Sequence, residues 1–355
     1  MIREFGYEYE TIIDNNLMIK DKGKFADSLL FGAHCLRSGR DALKAIAREF
    51  RPCKIYLPAL VCDTVISPFL MWGYEVVFYG LNSDYSIQLE DLKINQEEEY
   101  VLFFYMDYFG NPSISDINLE KIRNTHTNVI FIEDRTHSLI WNKKTGFIPD
   151  YTIVSLRKWI DIPDGGLLWG KTTIPYEIDN TFSEERLKAQ CMRYEYLKNG
   201  DEKIKKSFRE KFYKLYLLLD SDKNPYSMSL YSFHKAYYTD WEELKIKRWR
   251  NGETLISVLK QSPYIRLIQN DSSMSGLYVP FLVKNRNVIQ ERLSALGIFN
   301  TIIWPLTKQQ KDICNVAKYT EENMLAAPCD QRYEVDDMLY IGEKIIQVVD
   351  AVNRQ

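Results

Sequence analysis

A single lysine with apolar neighbours is the residue of this chain whose type and setting point most directly to covalent chemistry. Lys158 follows a short apolar stretch that ends in the hydroxyl of Ser155, and Trp159 and Ile160 come directly after it. Burial disfavours a charged ammonium, so this setting favours the neutral, nucleophilic amine that a Schiff-base lysine needs. The alternative is an ordinary lysine whose stem lies on apolar surface and whose ammonium reaches water. This stretch alone leaves both interpretations open.

An acidic turn after another apolar stretch adds partners for that lysine. Residues 128–134 have the pattern of a buried strand that ends in Asp134, and His137 follows within one turn. The carboxyl ends of parallel strands are where α/β proteins bind ligands. For a bound pyridoxal phosphate (PLP), Asp134 would keep the pyridine nitrogen protonated, which makes the ring an electron sink. His137 would hydrogen-bond the phenolic oxygen or pack on the ring, and Ser155 would donate to the phosphate.

The order and spacing of these groups resemble a known family, the DegT/StrS-type sugar aminotransferases, which are PLP enzymes of fold type I. That family carries an Asp-x-x-Gln or Asp-x-x-His turn after a strand, then a serine, then a lysine separated by six residues from a Gly-Gly pair. The corresponding residues here are Asp134, His137, Ser155, Lys158, Gly165 and Gly166. The resemblance runs from about residue 36 to the carboxyl terminus.

The resemblance implies a PLP-dependent aminotransferase that moves an amino group from glutamate to a nucleotide-linked keto sugar, in amino-sugar or surface-polysaccharide biosynthesis. In such enzymes the lysine holds the cofactor covalently and, once released, acts as the base that moves a proton. These roles would fall to Lys158, while Asp134 keeps the cofactor ring electron-poor. The resemblance also implies a homodimer, because such enzymes build each pocket from two chains. No residue of the sequence identifies the sugar.

A turn of small residues before a predicted helix offers further candidate cofactor contacts. Ser38 and Gly39 precede a stretch with amphipathic helical spacing that runs from Asp41 to Phe50. The first N–H groups of a helix bind anions, although a simple N-cap is the alternative. The family has Ser-Gly-Thr-Ala-Ala-Leu here, so the resemblance implies that Gly39, Arg40 and Asp41 contact the PLP phosphate. The Asp41 carboxylate must then point away, while the Arg40 guanidinium would add to the binding.

Two further cofactor contacts are predicted only from their positions in the sequence. One is the residue that stacks on the cofactor ring, and the other is a contact from a second chain. Counting from the proline that ends a strand, Cys62 stands where similar enzymes place an aromatic residue that stacks on PLP. Either Cys62 packs on the ring through its sulfur, or a nearby aromatic such as Tyr108 replaces it. The family also has an asparagine that reaches the partner's phosphate, and Asn224 is the nearby candidate for it here.

Length, charge and composition are those of an ordinary globular protein. The chain has 355 residues, of which 45% are hydrophobic and 27% charged, and its formal net charge is −3. This charge gives no reason to expect nucleic acid or an anionic membrane as a partner, and no apolar run is long enough to cross a bilayer. The six cysteines form no CxxC pair, and the four histidines lack metal-ligand spacing. We therefore predict a cytoplasmic protein with reduced thiols and no metal site.

Strand-like and helical stretches alternate from about residue 36 to residue 170, which predicts a mainly parallel sheet with right-handed crossovers. The fold class is therefore α/β. By resemblance it is fold type I, with a seven-stranded sheet between helices and a smaller C-terminal α/β domain. The predicted divisions are an N-terminal arm (1–30), a large PLP-binding domain (31–239), and a linker helix with the small domain (240–355).

Two other functions remain open from the sequence. A PLP-dependent dehydratase of a deoxysugar would use the same frame, but related dehydratases replace the lysine with histidine, so Lys158 favours aminotransfer. A non-catalytic or regulatory relative would keep the fold alone. Three features keep it open, namely Cys62, Asp41 and the spacing from Ser155 to Lys158, which is shorter than in similar enzymes.

Overall fold

The structure is a computed structural model that describes residues 2–12, 29–94, 96–140, 146–173, 177–268 and 275–354. Residues 13–28, which make up much of the predicted N-terminal arm, lie outside the described residues. The described strands are β1 (Phe5–Gly6), β2 (His34–Leu36), β3 (Lys54–Pro58), β4 (Glu75–Tyr79), β5 (Val101–Met106), β6 (Val129–Asp134), β7 (Tyr151–Val154), β8 (Gly166–Trp169), β9 (Arg266–Leu267), β10 (Tyr278–Leu282), β11 (Ile298–Phe299) and β12 (Met324–Pro328).

Helices connect most of these strands. The described helices are α1 (Gly39–Glu49), α2 (Asp63–Met71), α3 (Asp116–Thr125), α4 (Asn180–Asn199), α5 (Glu202–Ser221), α6 (Leu230–Tyr238), α7 (Trp241–Leu259), α8 (Arg286–Ala295), α9 (Lys308–Ile313), α10 (Asn315–Asn323) and α11 (Val335–Asn353). Short 3₁₀ turns cover Leu89–Asp91 and Leu156–Lys158. None of the helices described here combines the length and apolar character that a bilayer-spanning helix requires.

A seven-stranded sheet forms the centre of the fold, with the strand order β2-β8-β7-β6-β5-β3-β4. Strands β4, β3, β5, β6 and β7 run parallel, and β8 runs antiparallel to both of its neighbours. Every residue of β5 is buried, as expected for a parallel strand that is covered on both faces. The predicted α/β class with a mainly parallel seven-stranded sheet is therefore confirmed.

Parallel pairing places the predicted site residues at one edge of this sheet. Strand β6 ends at Asp134, which pairs with Ile153 of the neighbouring strand β7. Ser155 follows the end of β7, and Cys62 follows the end of β3 by a few residues. Because parallel neighbours all end at the same edge, these side chains come together although they are far apart along the chain.

The double glycine lets β8 pass close to the start of α1. A Cβ atom at Gly166 would lie 2.3 Å from the carbonyl carbon of Ser38, so any side chain there would clash with backbone. The Gly165 N–H donates to the Arg37 carbonyl oxygen at 2.6 Å. The Gly-Gly pair therefore holds the turn that carries Lys158 against the beginning of α1.

The C-terminal part of the chain has its own sheet and its own hydrophobic cluster. Strands β9, β10 and β12 form an antiparallel sheet in the order β12-β10-β9. Helices α7 and α11 pack against each other, and buried residues such as Leu255, Phe281 and Ile341 form the cluster. Helix α7 corresponds to the predicted linker helix. The division of the chain at residue 240 stays a prediction.

The first described segment, residues 2–12, crosses from the C-terminal sheet region to the lysine turn. Strand β1 pairs in parallel with β11, and the Gly6 N–H donates to the Tyr333 hydroxyl at 2.6 Å. The Tyr9 hydroxyl accepts from Arg248 Nη2 at 2.5 Å and donates to the Trp159 carbonyl oxygen at 3.2 Å. This segment therefore packs directly beside Lys158.

Candidate active site

A cavity of about 490 Å³ lies where the carboxyl ends of the parallel strands meet the start of α1. Seven of the nine predicted site residues line it, namely Gly39, Arg40, Cys62, Asp134, His137, Ser155 and Lys158. They come from separate stretches of the chain that the sheet brings together. The two others, Asp41 and Asn224, do not line the cavity.

Lys158 lies in the wall of this cavity, at the end of the 3₁₀ turn that follows β7. Burial lowers the pKa of its amine, and the positive charges of Arg157 and Arg40 lower it further, while Asp134 acts in the opposite direction. The side chain is therefore closer to its neutral form than a solvated lysine is. The neutral amine is the form that attacks a carbonyl carbon.

Thr136, which the sequence did not single out, connects the acid to the lysine turn. Its backbone N–H donates to Asp134 Oδ1 at 2.7 Å, and its hydroxyl oxygen accepts from the Ser155 N–H at 2.9 Å. Its carbonyl oxygen accepts from Trp159 Nε1 at 2.9 Å. Thr136 is buried, so these hydrogen bonds are shielded from water. Together they fix Asp134 relative to the turn that carries Lys158.

Replacing Trp159 by alanine is expected to destabilise the fold by about 3–5 kcal/mol, because the indole is fully buried and donates to Thr136. Denaturant unfolding followed by circular dichroism measures this change. Trp249 provides a matched control because it is 42% exposed. Trp249→Ala should change the free energy of unfolding by less than about 1 kcal/mol. Equal losses in the two variants would contradict the role given to Trp159.

His137 is a buried, neutral imidazole that stacks with two aromatic rings. Its ring centroid lies 5.3 Å from that of Phe109 and 5.7 Å from that of Trp304, with interplanar angles of 27° and 24°. The Phe109 backbone N–H donates to His137 Nδ1 at 3.4 Å, which places the ring proton on Nε2. Burial lowers the pKa of His137 to about 3, and the charge of Lys158 acts in the same direction. The imidazole is therefore neutral at neutral pH.

The low pKa of His137 predicts a loss of stability as the pH falls from about 6.5 towards 3. A histidine of the unfolded chain titrates near pH 6.5, whereas the folded state takes up this proton only near pH 3. Between these values the unfolded state binds more protons, so lowering the pH favours unfolding. His137→Gln cannot titrate and should remove about 1.4 kcal/mol per pH unit from the slope of the unfolding free energy.

Urea unfolding at a series of pH values tests this prediction. Burial raises the pKa of Asp134, which has the opposite effect on stability, but this carboxyl is present in both proteins and cancels in the comparison. The exposed His234 gives the matched control, and His234→Gln should keep the slope of the wild type. If His137→Gln also keeps that slope, the histidine titrates normally in the folded protein and the assignment fails.

An ion pair at the start of α1 turns the Asp41 side chain away from the cavity. Ser38 is the N-cap of this helix, and its hydroxyl oxygen accepts from the Asp41 N–H at 3.2 Å. The Asp41 carboxylate accepts from Arg37 Nη2 at 3.0 Å and from Arg37 Nε at 3.2 Å, and both side chains are fully buried. The Asp41 side chain is therefore not a cofactor contact, because a buried guanidinium holds it inside the protein. Gly39 and Arg40 remain at the cavity wall.

Cys62 lies at the cavity and Tyr108 does not. Cys62 Sγ is 2.9 Å from Thr64 Oγ1, and both residues line the cavity wall. Tyr108 is fully buried, and its hydroxyl donates to the Leu60 carbonyl oxygen at 2.6 Å. The alternative prediction that Tyr108 replaces the stacking aromatic is therefore wrong, since its ring is part of the core. The aromatic side chains that do line the cavity are Tyr7, Tyr9, Tyr216, Tyr278, Phe299 and Trp304.

Asn224 is exposed on the segment after α5 and does not reach the cavity of its own chain. It is therefore not placed to contact a cofactor within one chain, because its own side chain is exposed outside the cavity. Its predicted contact with the phosphate of a second chain stays a prediction.

Residues from distant parts of the chain complete the cavity. The Tyr216 hydroxyl donates to the Glu8 carboxylate, which also pairs with Arg186 Nη2 at 2.5 Å. Burial raises the pKa of Glu8, but Arg186 and Arg157 together hold it below its ordinary value. The other lining residues include Thr136, which the sequence did not indicate, and Asp330 and Arg332, whose segment the sequence offers as a candidate for substrate contact. No local spacing marks Glu8 and Tyr216 as partners, because they lie 208 residues apart in the sequence.

The residues present fit PLP in three respects. Lys158 offers an amine of lowered pKa for an aldehyde. Burial raises the pKa of Asp134, so a protonated ring nitrogen beside it would stabilise the carboxylate. Arg40 Nη1 and Arg157 Nε are buried without a hydrogen-bond partner in the described part of the chain, and a phosphate oxygen supplies the acceptor that such groups lack.

Several solved structures of similar fold are aminotransferases. PseC of Helicobacter pylori, an aminotransferase involved in the biosynthesis of pseudoaminic acid, has a TM-score of 0.65 and 18% identity, with 98% of this chain and 100% of that chain covered. A putative sugar aminotransferase from Streptococcus pneumoniae in its PLP form has a TM-score of 0.66 and 15% identity, with 99% and 100% covered. The aminotransferase TlmJ from Streptoalloteichus hindustanus has a TM-score of 0.67 and 13% identity, with 99% and 100% covered.

The relationship is visible in the fold and not in the overall sequence. No family model matches the chain, and no curated protein matches it either. At identities below 20%, the similarity to the solved structures establishes the fold. The chain therefore has the fold-type-I architecture of these aminotransferases, as its motifs predicted.

Proposed function

We propose that this protein is a PLP-dependent aminotransferase that transfers an amino group from glutamate to a nucleotide-linked keto sugar. One observation carries the proposal. The amine of Lys158, with its lowered pKa, and the buried carboxyl of Asp134 line the same cavity, at the edge where the neighbouring strands β6 and β7 end. The shared fold with solved aminotransferases supports the reaction type.

Each group has a defined task in this reaction. PLP, when bound, supplies an aldehyde that joins to amines and a ring that accepts electrons. Lys158 Nζ provides the amine for covalent attachment and, once released, the base that removes the proton from Cα of the amino donor. Asp134 holds a proton on the ring nitrogen, and Thr136 fixes the orientation of Asp134. His137 presents Nε2–H as a donor from a neutral ring.

The sugar part of the proposal has separate support. PseC is involved in the biosynthesis of pseudoaminic acid, and the Streptococcus pneumoniae protein is a putative sugar aminotransferase. Within the cavity, Tyr9, Tyr278 and Trp304 provide aromatic surfaces with polar edges, which suit the flat base of a nucleotide-linked substrate. On the same grounds we propose a role in amino-sugar or surface-polysaccharide biosynthesis.

Reduction by borohydride tests the proposal directly. Apo-protein incubated with PLP should gain visible absorbance, and reduction should fix the cofactor to the peptide that contains Lys158. Glutamate added before reduction should remove the absorbance and yield 2-oxoglutarate, and a nucleotide-linked keto sugar should then restore it. A label on another peptide would refute the site. Absorbance that glutamate leaves unchanged would refute aminotransfer from glutamate and favour the dehydratase alternative.

The proposal includes a homodimer in which a second chain contributes to each pocket, with Asn224 as the candidate contact. Sedimentation equilibrium should give about twice the chain mass of 41.9 kDa. An active, compact monomer would contradict this part of the proposal without affecting the assignment of Lys158.

We also propose a cytoplasmic location and keep the predicted division into an arm, a large domain and a small domain. No disulfide joins any two of the six cysteines, all of which lie in the described part of the chain, and this agrees with a reducing compartment. The second hydrophobic cluster, which α7, α11 and the C-terminal sheet share, supports the division, while Leu282, Met324 and Ala326 of that sheet pack into the cluster of the large sheet.

A further inference from the structure

Two arginines in the wall of the cavity, Arg40 and Arg157, flank a single phenol ring. The Cζ atoms of Arg40 and Arg157 lie 5.6 Å and 5.3 Å from the centroid of the Tyr216 ring. Both arginines line the cavity that contains Lys158. Burial lowers the pKa of Arg40, and the charge of Arg157 lowers it further. Two like charges are therefore held close together in a site of reduced solvation.

Neither guanidinium has a full set of hydrogen-bond partners among the described residues. Nε and Nη1 of Arg40 are buried without a partner, and its ion pair with Asp220 at 3.2 Å lacks hydrogen-bond geometry. Arg157 Nε also lacks a partner, and Arg157 Nη1 makes a long bond of 3.5 Å to the Tyr216 hydroxyl. Leaving buried N–H groups of a cation unpaired is unfavourable, so this pair of side chains is suited to an anion.

Their places in the chain connect the two arginines to the lysine. Arg40 is the second residue of α1, where backbone N–H groups also attract an anion. Arg157 stands between Ser155 and Lys158 on the 3₁₀ turn. A Cβ atom at Gly39 would lie 3.2 Å from the Ser155 Cβ, so the helix start and this turn touch. An anion at this contact would meet the guanidinium groups of both elements.

The chemistry of PLP limits where its phosphate can lie. The aldehyde and the phosphate-bearing carbon are attached to adjacent ring atoms, so a cofactor joined to Lys158 places its phosphate near that lysine. Two guanidinium groups match the charge of a dianion. Arginine also reaches farther than serine, which compensates for the short spacing from Ser155 to Lys158.

We propose that Arg40 and Arg157 of one chain together clamp the phosphate of PLP. This inference rests on the proposed function and goes beyond it, because it assigns to Arg157 a cofactor contact that the family motif does not contain. The clamp supplies two charged donors at a site where the family uses hydroxyl and backbone donors.

Comparison of PLP with pyridoxal, which keeps the aldehyde and lacks the phosphate, tests the clamp. Both ligands are titrated into the apo-protein, and the visible absorbance of the lysine adduct reports binding. Arg40→Met and Arg157→Met should each weaken PLP binding by about 10- to 100-fold, because each removes charge-assisted hydrogen bonds to the phosphate. Their affinity for pyridoxal should fall much less, because pyridoxal loses only the effect of the guanidinium charge on the pKa of the Lys158 amine.

Arg48 on the same helix provides the matched control. It is exposed in the last turn of α1, away from the cavity, so Arg48→Met should bind both aldehydes as the wild type does. Inorganic phosphate gives an independent readout on apo-protein. It should raise the melting temperature of the wild type and of Arg48→Met, and leave that of the double variant Arg40→Met/Arg157→Met unchanged. If a methionine variant fails to fold, Arg157→Lys keeps the charge and should show a smaller loss of the same kind.

The outcomes separate this inference from the proposed function. If the ratio of PLP affinity to pyridoxal affinity in Arg157→Met equals that of the wild type, the proposed clamp is wrong. Equal losses of both affinities also overturn it, because they show that Arg157 positions Lys158 and does not bind the phosphate. A wild-type protein that forms no adduct at Lys158 with either aldehyde refutes the proposed function itself.

Discussion

Lys158→Ala is expected to abolish covalent attachment of PLP and to reduce turnover by at least about 10⁴-fold. The loss is large because one atom, Nζ, serves both as the point of attachment and as the base that moves the proton. Among the described residues no other lysine lines the cavity, so no second amine can take over attachment or proton transfer. Visible absorbance after incubation with PLP and steady-state amino transfer from glutamate measure the two losses separately.

Lys54→Ala is the matched control for this variant. Lys54 begins β3 at the amino end of the strand, which is the opposite edge of the sheet from the cavity, and it pairs with Glu98 at 2.8 Å. Its replacement should leave covalent labelling and turnover at wild-type levels. Borohydride labelling that persists in Lys158→Ala would show that another amine holds the cofactor, and the assignment of Lys158 would be withdrawn.

Asp134→Asn is expected to lower kcat by about 10²- to 10³-fold while PLP remains attached to Lys158. An amide cannot balance a positive charge on the ring nitrogen, so the ring withdraws electrons less strongly when the proton leaves the donor. The step affected is removal of the Cα proton. Exchange of that proton of glutamate with deuterium from solvent should slow by a similar factor, and mass spectrometry measures it.

Glu133→Gln is the control for this second prediction. Glu133 precedes Asp134 on β6, and successive residues of a strand point to opposite faces of the sheet. Its carboxylate accepts from the Thr152 hydroxyl at 3.4 Å and does not line the cavity. Wild-type exchange is therefore expected in Glu133→Gln. If Asp134→Asn also exchanged the Cα proton of glutamate at the wild-type rate, Asp134 would have no part in the mechanism.

Much of the fold could be predicted from local sequence patterns. The buried run that forms β5 and the amphipathic spacing of α1 are local signals, and the alternation of such stretches predicted a mainly parallel sheet. Helix α7 begins at Trp241, one residue after the position where the division with the predicted linker helix begins. Local patterns suffice here because hydrophobic periodicity reflects which face of an element is buried.

The contacts within the site were harder to predict from the sequence than the fold was. The wrong or missing predictions have physical causes. Tyr108 was a candidate for the ring face because it follows a strand near the site, yet its hydroxyl bonds to Leu60 inside the core. Thr136 occupies an unmarked position in the Asp-x-x-His turn, although it joins Asp134 to the lysine turn. The bond from the Ser155 N–H to Thr136 joins two separate strand ends, and spacing along the chain does not encode that approach.

By itself, the sequence determined the sheet class and the small set of residues that can do chemistry, because the amine of Lys158, the acid of Asp134 and the glycines between β7 and β8 are fixed by residue type and order. The tertiary structure alone decided that Glu8, Tyr216 and Arg157 join them at one cavity. The reason is that these side chains meet through packing between segments up to 208 residues apart, as Glu8 and Tyr216 do. Such contacts depend on the relative placement of whole elements, which no local pattern records.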